Sequence, residues 1–292
     1  MGQKKLIRFA AIKTFANVLE YPENMQGKWN TFFKNNNPIV LELACGRGEY
    51  TVGLSRMFAD KNFIGVDIKG NRIFIGAKKC LDEQLHNAAF LRTQIEKLAD
   101  YFSEDEVSEI WLTFPDPQLR TSRAKKRLTH PRFLRLYQKV LSTKGCIHLK
   151  TDSPDLYTFT KRVIDMYGLT LLEDCDDVNA KSNKEELKII THYQSLDIAK
   201  SNKIFYLKFQ LPEVIADMDE QLQEILKREE PNNETDQEER FSNEDDLIVF
   251  TAEYLLERGY CCGNGCRNCP YEYKNVPEPK RSKLLAIQQA SK

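Results

Sequence analysis

A carboxylate held between two prolines at the head of a long cationic run is the part of this sequence with the most evident chemical use. The stretch reads Phe114-Pro115-Asp116-Pro117, and Arg120, Arg123, Lys125, Lys126, Arg127, Arg132, Arg135 and Lys139 follow without one acid between Gln118 and Lys139. Such a run suits the phosphates of a nucleic acid. A carboxylate at its lip can hold a hydrogen-bond donor and stabilise positive charge that develops during a reaction. The plain alternatives are a turn, for which Pro-Asp-Pro is good chemistry, and a solvated charged face. A second candidate is Leu41-Glu42-Leu43-Ala44-Cys45-Gly46-Arg47-Gly48, an apolar run ending in two glycines. Glycine there lets a ligand approach the backbone. A dinucleotide fingerprint needs a third glycine where Thr51 stands. Asp67 closes the next apolar run, Phe63 to Val66, at about the 20-residue separation of a ribose-binding carboxylate. The third candidate is Cys262, Cys266 and Cys269, with Cys261 as a fourth thiol. Their spacing suits zinc or an iron–sulfur centre, with free thiols or a redox pair as the alternative. The same spacing occurs in radical enzymes that set it in a barrel, for which this short tail has no room.

These residues need strands to place them. Runs of strand length and composition occur near 39–43, 62–67, 88–92, 108–113, 145–149, 169–173 and 203–209. Helical patterns fill the gaps near 50–59, 70–86, 131–142 and 153–167. That alternation predicts an α/β fold with a mostly parallel sheet covered by helices on both faces. Glu42, Asp67, Gln94, Asp116 and Asp152 then fall at or just beyond the carboxyl ends of successive strands, the edge where such sheets bind ligands. Asp152 is also placed to cap the helix beginning near Pro154.

Glu42 with the glycine pair resembles the first motif of S-adenosylmethionine-dependent methyltransferases. Added to it, Phe-Pro-Asp-Pro after a strand, Lys125-Lys126-Arg127, His148-Leu149-Lys150-Thr151-Asp152 and Thr191-His192-Tyr193-Gln194 resemble, in order, the motifs of the bacterial tRNA (guanine-N7)-methyltransferases, over roughly the first 210 residues. The resemblance implies a Rossmann-like class I methyltransferase with an antiparallel sheet edge, acting on tRNA with S-adenosylmethionine as cofactor. It implies cofactor contacts at Glu42, Gly46, Gly48, Asp67, Gln94 and Asp116. It makes Asp116 catalytic, and it places Arg120, Arg123, Lys125, Lys126, Arg127, Asp152 and Thr191 to Gln194 against the substrate. This sequence departs from the family at Gln118, commonly Trp; at Arg120, commonly Lys; at Gln94, commonly an acid or Asn; and in Thr-His-Tyr-Gln, commonly Thr-Lys-Phe-Glu. Two alternatives stand beside this reading: an RNA-binding scaffold with the same fold, and a methyltransferase acting on another RNA base. Exocyclic-amine methylation typically places Pro-Pro and an aromatic after the acid, whereas Asp116 is followed by Pro117 and Gln118.

The formal net charge of the 292 residues is zero, but the average hides segregation. Residues 213 to 246 hold fourteen acids against three bases, opposite in sign to the run at 118–139. The spacing of Val214, Ile215, Met218, Leu222, Ile225 and Leu226 predicts a helix over 212–228. Residues 229–246 read as a flexible acidic linker. The expected division is a methyltransferase domain at 1–212, an acidic helix and linker at 213–245, a cysteine-rich module at 246–276 and a basic tail at 277–292. The module resembles a short cysteine-rich domain of unknown function, sometimes called oxidoreductase-like. Residues 1–36 show little regular pattern and read as a solvated tail or, by the resemblance, a flap that helps bind RNA. No stretch approaches the roughly 18 apolar residues of a membrane span. The basic N-terminus is a poor secretory signal, and four scattered thiols, Cys45, Cys80, Cys146 and Cys175, suit a reducing compartment. A cytoplasmic location is expected. The sequence leaves monomer and homodimer equally open.

Overall fold

The computed structural model describes residues 2–195, 203–229, 241–244, 247–257 and 261–290. The chain forms two compact units, Met1–Leu222 and Gln223–Lys292. In the first, helices and strands alternate as α1 (Gly2–Ile12), β1 (Val18–Glu20), α2 (Trp29–Phe33), β2 (Ile39–Leu43), α3 (Glu49–Met57), β3 (Asn62–Asp67), α4 (Gly70–Asp82), β4 (Ala88–Arg92), β5 (Val107–Thr113), α5 (Pro131–Gln138), β6 (Leu141–Thr151), α6 (Pro154–Met166), β7 (Thr170–Cys175), the short α7 (Val178–Lys181) and α8 (His192–Ser195), and β8 (Phe205–Gln210).

Eight strands form one sheet in the order β1-β4-β3-β2-β5-β6-β8-β7. Every pairing from β1 to β6 is parallel, while β8 runs antiparallel to both β6 and β7. β2 and β3 are buried along their whole length, as strands covered on both faces by helices must be. From β2 the chain winds outward through β3 to β4, then returns to pair β5 on the other side of β2. The crevice at that reversal is where open α/β sheets bind ligands. One face is filled by Tyr50 and Leu54 of α3 packed with Val40, Phe63, Trp111, Leu187, Ile204 and Tyr206. Trp111 stacks on His148 with ring centroids 4.0 Å apart and planes 7° from parallel.

Three sequence expectations are corrected. Residues 1–36 are not a solvated tail: Ile12 and Trp29 are fully buried, and β1 extends the sheet by pairing Val18 with Phe90 and Glu20 with Arg92. Trp29 stacks on Phe102 at 5.1 Å and donates from its indole nitrogen to the Tyr101 carbonyl at 2.9 Å. The helix expected over 212–228 is α9, Asp219–Glu229. Asp219 is pinned by Arg135 at 2.8 Å and by the Tyr167 hydroxyl at 2.9 Å, which ties the turn preceding α9 to the core and leaves Val214 exposed. Within the expected linker, residues 230–240 and 245–246 lie outside the described residues, but β9 (Phe241–Glu244) pairs antiparallel with β10 (Leu247–Phe250).

The second unit continues with α10 (Ala252–Glu257) and α11 (Lys280–Ala290). Its small core gathers Cys261, Cys269, Tyr273 and Val276, with Tyr271, Leu284 and Leu285 against them. Among the described residues no helix is long and apolar enough to cross a membrane.

Candidate active site

The turn after β2 sets the site. Ala44, Gly46 and Gly48 all have positive φ, at 57°, 58° and 73°. At Gly48 a Cβ would lie 2.4 Å from the Phe90 ring, so the turn closes on β4 only because no side chain is there. At Gly46 a Cβ would meet nothing nearer than the Ala44 carbonyl at 4.0 Å, and the open space is the cleft itself. That cleft, about 450 Å³, is lined by Glu42, Gly46, Thr113, Phe114, Thr191, His192 and Tyr193, with Arg8 from α1 at its wall. A neighbouring cleft of about 500 Å³ shares Ala44 and is lined by Asp67, Ile68, Thr93, Gln94, Ile95, Lys126 and Phe133 among others. Of the sequence-predicted residues, Glu42, Gly46 and Thr191 to Tyr193 line the first cleft and Asp67, Gln94 and Lys126 the second, while Gly48, Asp116, Asp152 and Gln194 line neither.

Glu42 is buried, and each carboxylate oxygen is engaged. One accepts from the Thr51 N–H at 2.8 Å and the Thr51 hydroxyl at 2.6 Å, the other from the Thr113 hydroxyl at 2.9 Å. Burial pushes its pKa up to about 7 against the pull of these donors. Asp67 accepts from the Gly46 N–H at 2.9 Å and the Lys69 N–H at 2.8 Å, which fixes a carboxylate at the mouth of the second cleft. Gln94 is exposed there. Beside it Thr93 is buried with a hydroxyl that has no hydrogen-bond partner among the described residues, an orphan polar group that a ligand would satisfy. Sequence reasoning passed over Thr93 for its neighbour, since a threonine at a strand end carries no distinguishing signal.

Asp116 stands exposed on the loop after β5, and one of its carboxylate oxygens accepts from the Gln118 N–H at 3.0 Å. Phe114 and Gln118, with φ of 47° and 46°, bracket it in a backbone region that bulky residues rarely adopt. Phe114 meets Tyr193 at 6.1 Å between centroids. Burial raises the Tyr193 hydroxyl pKa, and the charges of Asp152 and Asp116 add to the effect. Thr191 is buried and accepts from the Gln194 N–H at 3.1 Å. Asp152 is not the cap of α6; Ser153 is, accepting from the Leu156 N–H at 3.2 Å. That leaves the Asp152 carboxylate, with its pKa raised by burial, to other uses.

The basic run divides. Arg120, Arg123, Lys125, Lys126, Arg132 and Lys139 are exposed. Arg127 is not a surface cation and is withdrawn from the substrate-facing set. It is 5 % exposed, lies over the Phe159 ring at 4.4 Å, and donates to the carbonyls of Pro117 at 3.1 Å and Gln118 at 3.1 and 3.3 Å. It clasps the loop that carries Asp116. Arg135, bound to Asp219, is likewise committed.

Two further clusters bear on metals. In the module the Cys262 and Cys266 sulfurs are 3.4 Å apart and those of Cys261 and Cys269 3.9 Å apart. Among the described residues, the side chains whose ligand atoms all lie within 4.8 Å of one another are Glu109, Cys146 and His148, a group the sequence reading did not single out. Lys61 binds the other Glu109 oxygen at 2.6 Å and the Tyr206 hydroxyl meets the other His148 nitrogen at 2.8 Å. That network is complete as a polar tie between β5, β6 and β8.

Strand order, glycine turn and paired acids at the strand ends define a Rossmann-like methyltransferase of the S-adenosylmethionine-dependent class. The 16S rRNA methyltransferase KamB shares the fold, with a TM-score of 0.51 at 15% identity over 65% of this chain and 96% of that one. A family model described as putative methyltransferase matches residues 36–207. The tRNA (guanine-N(7)-)-methyltransferase of Porphyromonas gingivalis is 50% identical over 69% of this chain and 87% of its own. That of Cytophaga hutchinsonii is 37% identical over 72% and 98%. The chain belongs to the tRNA (guanine-N7)-methyltransferase family. Residues 230–275 match a separate family of unknown function.

Proposed function

We propose that this chain methylates N7 of a guanine in the variable loop of tRNA, with S-adenosylmethionine as methyl donor. The observation that carries this reading is the pair of adjoining clefts, one with the Glu42 carboxylate and the open space at Gly46, the other with Asp67 and the unpartnered Thr93 hydroxyl. When bound, the cofactor supplies an electrophilic methyl on a sulfonium. Glu42 and the Gly46 turn suit its cationic methionine end; Asp67 suits the ribose hydroxyls, with Thr93 and Gln94 toward the base. Guanine N7 has a lone pair and no proton, so the transfer calls for no general base. What it needs is alignment and stabilisation of the positive charge that grows on the purine, both within reach of a carboxylate on a strained, clasped loop. Asp116 fills that role. Asp152 and the Thr191–Gln194 segment hold the guanosine, and Arg120, Arg123, Lys125 and Lys126 meet the RNA phosphates. The names of the related proteins support the same substrate. The test is incubation of the full chain with unmodified tRNA and methyl-labelled S-adenosylmethionine, followed by nucleoside mass spectrometry. Label recovered as 7-methylguanosine is expected, and none on guanine N7 would end the proposal.

For the second unit the proposal is a metal centre, zinc or an iron–sulfur cluster, held by Cys261, Cys262, Cys266 and Cys269. Its support is the ligand spacing and the two close sulfur pairs. Metal analysis of the full chain purified without oxygen tests it. A metal-free protein whose four cysteines in this unit all titrate as thiols would overturn the assignment.

A further inference from the structure

Lys150, the penultimate residue of β6, is 1 % exposed. Its ammonium donates to the carbonyls of Leu187 at 2.8 Å and Ile189 at 3.0 Å, and reaches the Gln194 side-chain oxygen at 3.5 Å. No carboxylate pairs with it among the described residues. Its charge instead faces two rings, Tyr50 of α3 and Phe114, each with its centroid 5.3 Å away. A buried cation with neutral partners alone is costly, and burial draws its pKa down to about 8. The cost is borne at one place: the stretch 184–191 has no strand of its own to anchor it, only a short turn at Glu185–Lys188, and it leads directly into Thr191 to Gln194. The Lys150 carbonyl also accepts from the Phe114 N–H at 2.8 Å. One residue therefore fixes, by its side chain, the segment on one wall of the cleft and, by its backbone, the start of the loop that carries Asp116.

We propose that Lys150 is a positioning residue for the RNA substrate, holding the 187–194 segment in register with the Phe114–Asp116 loop so that the two walls of the guanosine site form together. The inference rests on the function proposed above. Glu42, Gly46 and Asp67 are set by β2, β3 and the turns after them, which Lys150 does not touch, whereas the wall it holds is Phe114 and Thr191 to Tyr193, so its loss is expected to act more strongly on substrate binding than on cofactor binding.

The experiment compares the full-length wild type with Lys150→Met and Lys150→Arg, reading S-adenosylmethionine affinity by calorimetry, KM and kcat on unmodified tRNA, and amide exchange across residues 185–195. For Lys150→Met the expected result is cofactor affinity within about threefold of wild type, a tRNA KM raised by about tenfold or more, as befits loss of a charged donor to buried carbonyls, and faster exchange at 185–195. Lys150→Arg keeps charge and donors and is expected to recover most of the protection. Unchanged KM and exchange in Lys150→Met overturn the inference while leaving the proposed reaction intact. A wild type that methylates no tRNA overturns the reaction, and the exchange data then still decide the anchoring role. If Lys150→Met does not fold, Lys150→Gln, which keeps a donor and removes the charge, is read in its place: faster exchange confined to 185–195 supports the anchor, and unchanged exchange there overturns it.

Discussion

Glu42 and Asp116 are both carboxylates singled out by the sequence, and their surroundings give them different work. Glu42 is enclosed and titrates near 7, so a cationic ligand set against it favours the ionised form and displaces a proton. Affinity for S-adenosylmethionine is therefore expected to strengthen as pH rises through 7, with proton release visible as a buffer-dependent binding heat; Glu42→Gln should flatten that dependence. The same shift has a cost for the protein alone. A carboxyl whose folded pKa lies above its ordinary 4.5 contributes stability below that value, and the contribution is lost as pH climbs to 7. Asp116, exposed on its bracketed loop, is expected to matter for transfer and not for cofactor affinity. Asp116→Ala should lower kcat by about a hundredfold or more with cofactor binding within a few fold, and a mutant that turns over tRNA near the normal rate would remove it from the chemistry. Among the bases, Arg123→Ala with Lys125→Ala should reduce the salt dependence of tRNA binding by about one unit of log–log slope for each phosphate no longer neutralised. Arg127 is unsuited to that experiment, because its removal would free the loop it clasps.

At the scale of elements, the strands that build the site were legible because each is an apolar run between turn signals, which is what a strand covered on both faces must be. β2, β3, β4 and β5 fall within a residue of their expected bounds. β1 was not legible. Val18 to Glu20 is three half-buried residues, too short for any period to show, and its partner lies some seventy residues on. Arg127 reads like its neighbours because nothing local marks which of three adjacent cations turns inward; the Phe159 ring that receives it comes from a different helix. Lys150 is hidden for the same reason, a lysine in a strand whose partners lie in a later segment. The overlooked α2 gives a direct measure of how firmly the N-terminal layer belongs to the domain. Trp29→Ala removes a side chain that is fully buried and stacked on Phe102, and a loss of about 3–5 kcal/mol is expected in chemical denaturation. A loss under about 1 kcal/mol, the range of ordinary surface changes, would show that the layer is peripheral after all.

For the whole molecule, the two compact units and the two separate family matches lead to an expectation about deletion. A chain ending after Glu229 keeps α9 and its Asp219 anchor; it should unfold at the same temperature as the full chain's first transition and methylate tRNA at a comparable rate. A clear drop in either would show that the second unit helps complete the first. The edge position of β1 has a consequence for the order in which the molecule is made. Residues 18–20 leave the ribosome some seventy residues ahead of their pairing partners, residues 90–92, and Trp29 waits for Phe102. The segment carrying β1 and α2 can therefore settle only after the middle of the sheet has emerged. Until then its apolar side chains, Ile12, Trp29 and Phe33 foremost, are exposed on a nascent chain with nothing to cover them, and it is in that interval that a chaperone would find the protein.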